Sequence, residues 1–122
     1  MNNEEKNNII LKKTFDFALL IIEVCYWLQK EKKEFIISKQ LFRCGTSIGA
    51  NAREAQEAES KADFIHKFAI ANKESNETIY WIELLIASGL LDGFTKTDLL
   101  QNGGRELKMI LTSIIKTTKS RS

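Results

Sequence analysis

The chain has 122 residues, the length of one ordinary domain, and a domain of this size buries roughly two-thirds of its unfolded surface, so it folds without a metal or a disulfide. Apolar residues make up 43% and charged residues 28%, which excludes a disordered chain, and the absence of proline favours long uninterrupted helices. A formal net charge of +2 is too small to demand a polyanionic partner.

The first predicted helix covers residues 7–30. Leu11, Phe15, Ala18, Ile22 and Cys25 follow at spacings of four and three and make one apolar stripe. Phe17, Ile21, Val24 and Leu28 make a second, and residues 15 and 17 point about 200° apart on a helix. Leu19, Leu20, Tyr26 and Trp27 fill the space between. One face of such a helix is covered by its own bundle, so the second stripe is predicted to want a partner, which points to a homo-oligomer.

The second helix is predicted over residues 38–59, with Ser38 as its N-cap. Its inward stripe is Leu41, Gly45, Ile48, Ala52 and Ala55. Gly45 and Gly49 each cost a helix interior roughly 1 kcal/mol against alanine, so a neighbouring backbone is expected to approach closely there. The third helix, residues 61–88, opens on the capping box Ser60-Lys61-Ala62-Asp63. Phe64, Phe68, Ala71, Ser75, Thr78, Ile82 and Leu85 line one face, and its small centre is expected to receive the glycine stretch of helix 2. Gly89 stops this helix and Asp92-Gly93 turns the chain.

A second capping box, Thr95-Lys96-Thr97-Asp98, opens the fourth helix, residues 96–117. Its predicted stripe is Leu100, Gly103, Leu107, Ile110 and Ile114, with Leu111 and Ile115 beside it. Gly103-Gly104 marks either a kink or a tight contact, and residues 116–122 read as frayed. Short connections favour antiparallel neighbours, so the expected fold is an all-α, up-down-up-down four-helix bundle forming a single domain.

Function has fewer pointers. Cys25 and Cys44 read as buried reduced thiols, the first eight residues do not resemble a signal peptide, and Asp16 and Glu23 interrupt the longest apolar stretch, so the protein is expected in the cytoplasm with no membrane span. A di-iron bundle needs paired Glu-x-x-His motifs, and the chain has one histidine, His66. No nucleophile motif or phosphate-cradling glycine loop appears, so no metal, cofactor or catalytic activity is expected. Arg43, Ser47, Asn51 and Glu54 form a polar row on helix 2, to be read as local hydrogen bonding or as a seam that fixes register or faces another subunit. Trp27, Tyr80 and Trp81 suit a core or an interface better than base stacking. Arg105, Lys108, Lys116, Lys119 and Arg121 cluster near the C-terminus against one acid, Glu106, either as a solvated helix end or as a nucleic-acid footprint. Arg53, Lys61, Lys67 and Lys73 extend the set of possible phosphate contacts, with RNA favoured over DNA.

The run from Gln40 to Leu85 carries a resemblance. Gln40-Leu41-Phe42-Arg43, Thr46-Ser47-Ile48-Gly49-Ala50-Asn51-Ala52-Arg53-Glu54-Ala55, Asp63-Phe64-Ile65-His66-Lys67, Glu74, Glu77 and Tyr80-Trp81-Ile82-Glu83-Leu84-Leu85 resemble the bacterial four-helix bundle family encoded in intervening sequences of 23S ribosomal RNA genes. The accessory protein of diversity-generating retroelements is related to it. The resemblance implies a homo-oligomeric ring, a pentamer, with nucleic acid and, for the retroelement members, a reverse transcriptase as partners. It also places Arg43, Ser47, Asn51, Glu54, Tyr80 and Trp81 among signature positions, read here as structural or interfacial. The interleaved acids leave a protein-protein scaffold without nucleic acid as the alternative.

Overall fold

The structure, a computed structural model, describes residues 2–121 apart from the side chain of Asn3. It holds four helices: α1 (Asn3–Glu31), α2 (Ile37–Ala55), α3 (Lys61–Ala87) and α4 (Thr97–Ser120). Each helix packs on its two neighbours in the order α1-α2-α3-α4-α1, and among the described residues no backbone contact joins α1 to α3 or α2 to α4. The helices therefore stand at the corners of a four-sided bundle. Where α1 touches α2 and α4, residue numbers fall along the neighbour as they rise along α1. Thus α1 meets α2 at Ile21 with Gly45 and at Thr14 with Gly49, and it meets α4 through Lys13 with Glu106 and Glu23 with Lys96.

The core is the inward stripe of each helix. Ile10, Phe17, Ile21, Val24, Cys25 and Leu28 come from α1, and Leu41, Cys44, Ile48, Ala52 and Ala55 from α2. Phe68, Ala71, Ile82 and Leu85 join them from α3. The buried row on α4 is Leu100, Gly104, Leu107, Leu111, Ile114 and Thr118. Leu100, Leu107 and Ile114 of the predicted row are buried, while Gly104 and Leu111 take the places expected for Gly103 and Ile110, which flank the core. Helix α4 continues unbroken through both glycines. A Cβ on Gly103 would lie 3.1 Å from the ring of Phe17, so the pair is a tight contact and not a kink. Residues 116–120 are helical and not frayed.

The helix ends differ from prediction at all four helices. Ser38 lies inside α2 and is buried, so it is not the cap. Glu34 takes that role: its carboxylate accepts from the backbone N–H groups of Ile36, Ile37 and Ser38 at 3.1, 3.0 and 2.7 Å. Helix α2 also ends at Ala55, four residues early, in a turn over Gln56 and Glu57. At α3, Ser60 Oγ accepts from the Asp63 N–H at 3.0 Å as a capping box requires, but Asp63 reaches the N–H of Glu59 and not that of Ser60. The box predicted at Thr95 does not form; Thr97 donates its hydroxyl to the Phe94 carbonyl and no side chain caps α4. At the start of α1, Asn2 Oδ1 accepts from the Glu5 N–H, which adds a turn before the predicted start at residue 7. Gly89, at φ 79°, ends α3 with the Leu90 N–H returning to the Leu85 carbonyl at 3.1 Å.

Among the described residues, no helix is long and apolar enough to cross a membrane.

Candidate interaction surfaces

Helix α1 is where apolar surface is left over. The stripe Phe17, Ile21, Val24 and Leu28 is the one the bundle covers. This reverses the prediction that this stripe wants a partner. The other stripe is only partly covered: Leu11, Ala18 and Ile22 are half-buried and Phe15 remains 54% exposed. Leu19 and Tyr26 on the outer ridge are 53% and 63% exposed. Phe15, Leu11, Ala18 and Thr14 form one wall of a groove of about 600 Å³, whose other wall is Thr46, Gly49, Ala50 and Arg53 of α2. The Arg53 guanidinium sits 6.0 Å from the centre of the Phe15 ring, a cation–π distance.

The glycines of α2 explain why this groove exists. Gly45 and Gly49 let α1 approach, since a Cβ on Gly45 would meet Ile21 at 2.7 Å and one on Gly49 would meet Thr14 at 3.2 Å. They do not receive the small centre of α3, contrary to expectation. That centre faces a different side of α2, where Thr78 lies beside the buried Cys44, whose thiol donates to the Leu41 carbonyl.

The α2–α3 side carries the polar row. Arg43 pairs with Glu77 and, at 3.4 Å, with Glu74, so it bridges two turns of α3. Trp81 donates its indole N–H to Glu77 at 3.2 Å, and its ring meets Tyr80 edge-on at a centroid distance of 5.3 Å. Ser47 donates to the Arg43 carbonyl at 2.6 Å and Asn51 to the Ser47 carbonyl at 2.9 Å, both within α2. Glu54 lines the groove end beside Arg53 and takes no part in the seam. Of the signature residues, Arg43 thus ties α2 to α3, while Trp81, Ser47 and Asn51 bond along their own helices, Trp81 through the same Glu77 that holds Arg43.

The basic residues separate into groups. On a helix, positions 105, 108, 116 and 119 fall within about 80° of one another, so Arg105, Lys108, Lys116 and Lys119 share one stripe on α4. That stripe lies on the α3 side, because Gly104 beside it abuts Ile79 and Ile82, whereas Glu106 and Ser113 reach α1. Among the described residues none of the four forms an ion pair. Lys61 is brought to the same edge, where its ammonium donates to the Arg121 carbonyl. Lys67 and Lys73 project from α3 away from this edge, and Arg53 lies on the α1–α2 side, across the bundle. The predicted set is therefore one stripe with neighbours, not a single patch.

His66 is exposed, and among the described residues no group of three or more histidines, cysteines and acids is placed to hold a metal ion. Cys25 and Cys44 are buried free thiols. Burial, then the neighbouring Cys44 and Glu34, push the Cys25 thiol up to about 12.

The chain matches the family described as 23S rRNA-intervening sequence protein over residues 6–113. It is also similar to a crystal structure from Bacteroides thetaiotaomicron, described as a protein of unknown function from the S23 ribosomal protein family. The two share 47% identity over 91% of this chain and 98% of that one, with a TM-score of 0.86. No curated protein matches the chain. With the match covering all but the first five and last nine residues, the chain belongs to the 23S rRNA-intervening sequence protein family.

Proposed function

We propose that this chain is a non-catalytic cytoplasmic protein, an up-down-up-down bundle that assembles with copies of itself and holds RNA or DNA by phosphate contacts. The five-subunit ring is the assembly the family resemblance implies. The observation that carries the reading is the uncovered apolar ridge of α1, with Phe15, Leu19 and Tyr26 more than half exposed beside a groove. Covering half-exposed side chains of this size contributes roughly 1 kcal/mol each, and monomeric proteins rarely leave such residues grouped together. The up-down course is supported by the opposed numbering of the named α1–α2, α1–α4 and α3–α4 pairs, and the reducing compartment by two unbridged thiols.

Support for nucleic acid comes from the α4 stripe, whose four cations form no ion pair among the described residues. Such a stripe contacts phosphates without reading sequence. The test is RNA binding by the wild-type protein and by the Arg105→Glu, Lys108→Glu, Lys116→Glu triple variant across a salt series. Affinity that falls steeply with salt and is lost in the variant supports the reading. Equal binding by both proteins removes the stripe from it. A scaffold for another polypeptide, a reverse transcriptase among the candidates, is the second reading. It is favoured by Tyr80 and Leu84, which are exposed on α3 beside the Arg43 seam, and it predicts association that salt does not weaken.

A further inference from the structure

The α3–α4 side of the bundle carries cations along most of its length and acids only at one end. Thr112 falls between Lys108 and Lys116 on the stripe already described, which runs from Arg105 to Lys119 over roughly 21 Å. The cations stand as two pairs, Arg105 with Lys108 and Lys116 with Lys119, whose centres lie about 16 Å apart along the helix. The exposed hydroxyl of Thr112 lies between the pairs. The approach of Gly104 to Ile79 and the hydrogen bond from Lys61 to Arg121 set the register of the two helices. That register brings Asn72 level with Thr112 and the exposed Asn76 level with Lys108, both within about 60° of Ile79 on α3. Over this length the side presents no acid among the described residues: Glu74 and Glu77 face α2, and Glu106 faces α1. Glu83 and Asp98 lie beyond the stripe, towards the α3–α4 turn.

We propose that this side binds double-stranded RNA across its shallow groove. One pair of cations meets each phosphate strand, and the Thr112 hydroxyl with the Asn72 and Asn76 amides meets the ribose 2′-hydroxyls between them. The proposal rests on the phosphate-contact reading above and adds the class of nucleic acid. Three observations select it. First, the side offers no phenyl, phenol or indole ring on which an unpaired base would stack, the usual means of holding single strands. Tyr80 leans on Trp81, whose indole bonds Glu77 towards α2, and the other exposed phenyl and phenol rings belong to α1, α2 and the loop between them. Second, the shape is wrong for duplex DNA. A side two helices broad measures about 20 Å, whereas the major groove of B-DNA, about 12 Å wide, admits one helix and the minor groove, about 6 Å, none. The minor groove of A-form RNA is wide and shallow and takes a broad face without penetration. Third, that groove is edged by phosphates and displays 2′-hydroxyls between them. The α3–α4 side presents its groups in the matching order: cations, then hydroxyl and amide groups, then cations.

The test is fluorescence anisotropy with three probes of one sequence: an RNA duplex of about 20 base pairs, the matching DNA duplex and a single RNA strand. The proposal expects the RNA duplex to bind roughly tenfold tighter than either other probe, the worth of one or two hydrogen bonds. A duplex of 2′-O-methyl RNA, which keeps the A-form shape but blocks the hydroxyls, should bind more weakly than the unmodified one. Thr112→Glu and Asn76→Asp each place an anion in the middle of the side and should weaken RNA-duplex binding by roughly tenfold or more. Both positions are exposed, and thermal unfolding verifies that each variant folds. Three results would each overturn the groove assignment while phosphate contact stands: a DNA duplex or single strand that binds as tightly as the RNA duplex, a 2′-O-methyl duplex that binds equally well, or variants that both bind as wild type does. A protein that binds none of the probes at low salt removes the phosphate-contact reading itself, and this proposal with it.

Discussion

Ile21 occupies the space that a β-carbon on Gly45 would need, its Cγ1 and Cδ1 both 2.7 Å from that position. Gly45→Ala gains about 1 kcal/mol of helix propensity but drives a methyl into the buried root of an isoleucine, and such overpacking costs about 1–3 kcal/mol. Loss should win by about 1 kcal/mol, a fall of roughly 4 °C in Tm for a chain this long. Adding Ile21→Val should recover part of the loss, because the two positions are coupled. Thermal unfolding of the two single variants and the double variant measures this directly.

Glu34, outside the helix, caps α2 in place of Ser38. Three backbone N–H groups converge on its carboxylate. Glu34→Ala should therefore cost about 1–2 kcal/mol, in the range of a lost N-cap, and Ser38→Ala clearly less. Urea unfolding of both variants gives the comparison, and the reverse ranking would restore Ser38 as the cap.

The buried thiols make stability depend on alkaline pH. Cys25 ordinarily ionises at 9.0 and in the folded chain at about 12, while burial also raises Cys44. Between these values the unfolded chain releases protons that the folded chain keeps. Stability contributed by the thiols is then complete below about pH 9 and falls as pH rises towards 12. Cys25→Ala with Cys44→Ala should flatten that part of the stability profile. A thiol reagent at pH 8 should label neither cysteine before unfolding.

Arg43 joins α2 to α3 through Glu74 and Glu77, and Glu77 also holds the Trp81 indole. Half of the Arg43 side chain is exposed, so solvent screens the pair and Arg43→Met should cost under about 1 kcal/mol. Releasing Glu77 should nevertheless change the Trp81 environment. A shift in tryptophan emission with little loss of Tm is the expected pairing of results.

Four helices were legible because their apolar spacings are long and regular, and Gly89 and Ser60 carry unambiguous end chemistry. Other features were not, each for a physical reason. Ser38 and Glu34 both suit a helix start, and only the path of the chain shows which one reaches the free N–H groups. On α4, Gly103 and Gly104 permit two rows one residue apart, and Phe17 of another helix decides between them by packing on Gly103. On α1 both stripes are apolar, so the sequence predicted leftover surface there but misassigned which stripe would be left. The stripe of Arg105, Lys108, Lys116 and Lys119 could have been read from helical spacing alone. That Arg53 lies across the bundle depends on the cyclic order of the helices, which spacing does not contain.

The central claim is that the uncovered surface of α1 is covered by other copies of the chain. Light scattering on the size-exclusion peak, at several protein concentrations and in low and high salt, tests it most directly. The account predicts a mass that is a whole multiple of 14.0 kDa, near five chains, and largely unchanged by salt because the contact is mainly apolar. A mass of 14.0 kDa at every concentration would contradict it.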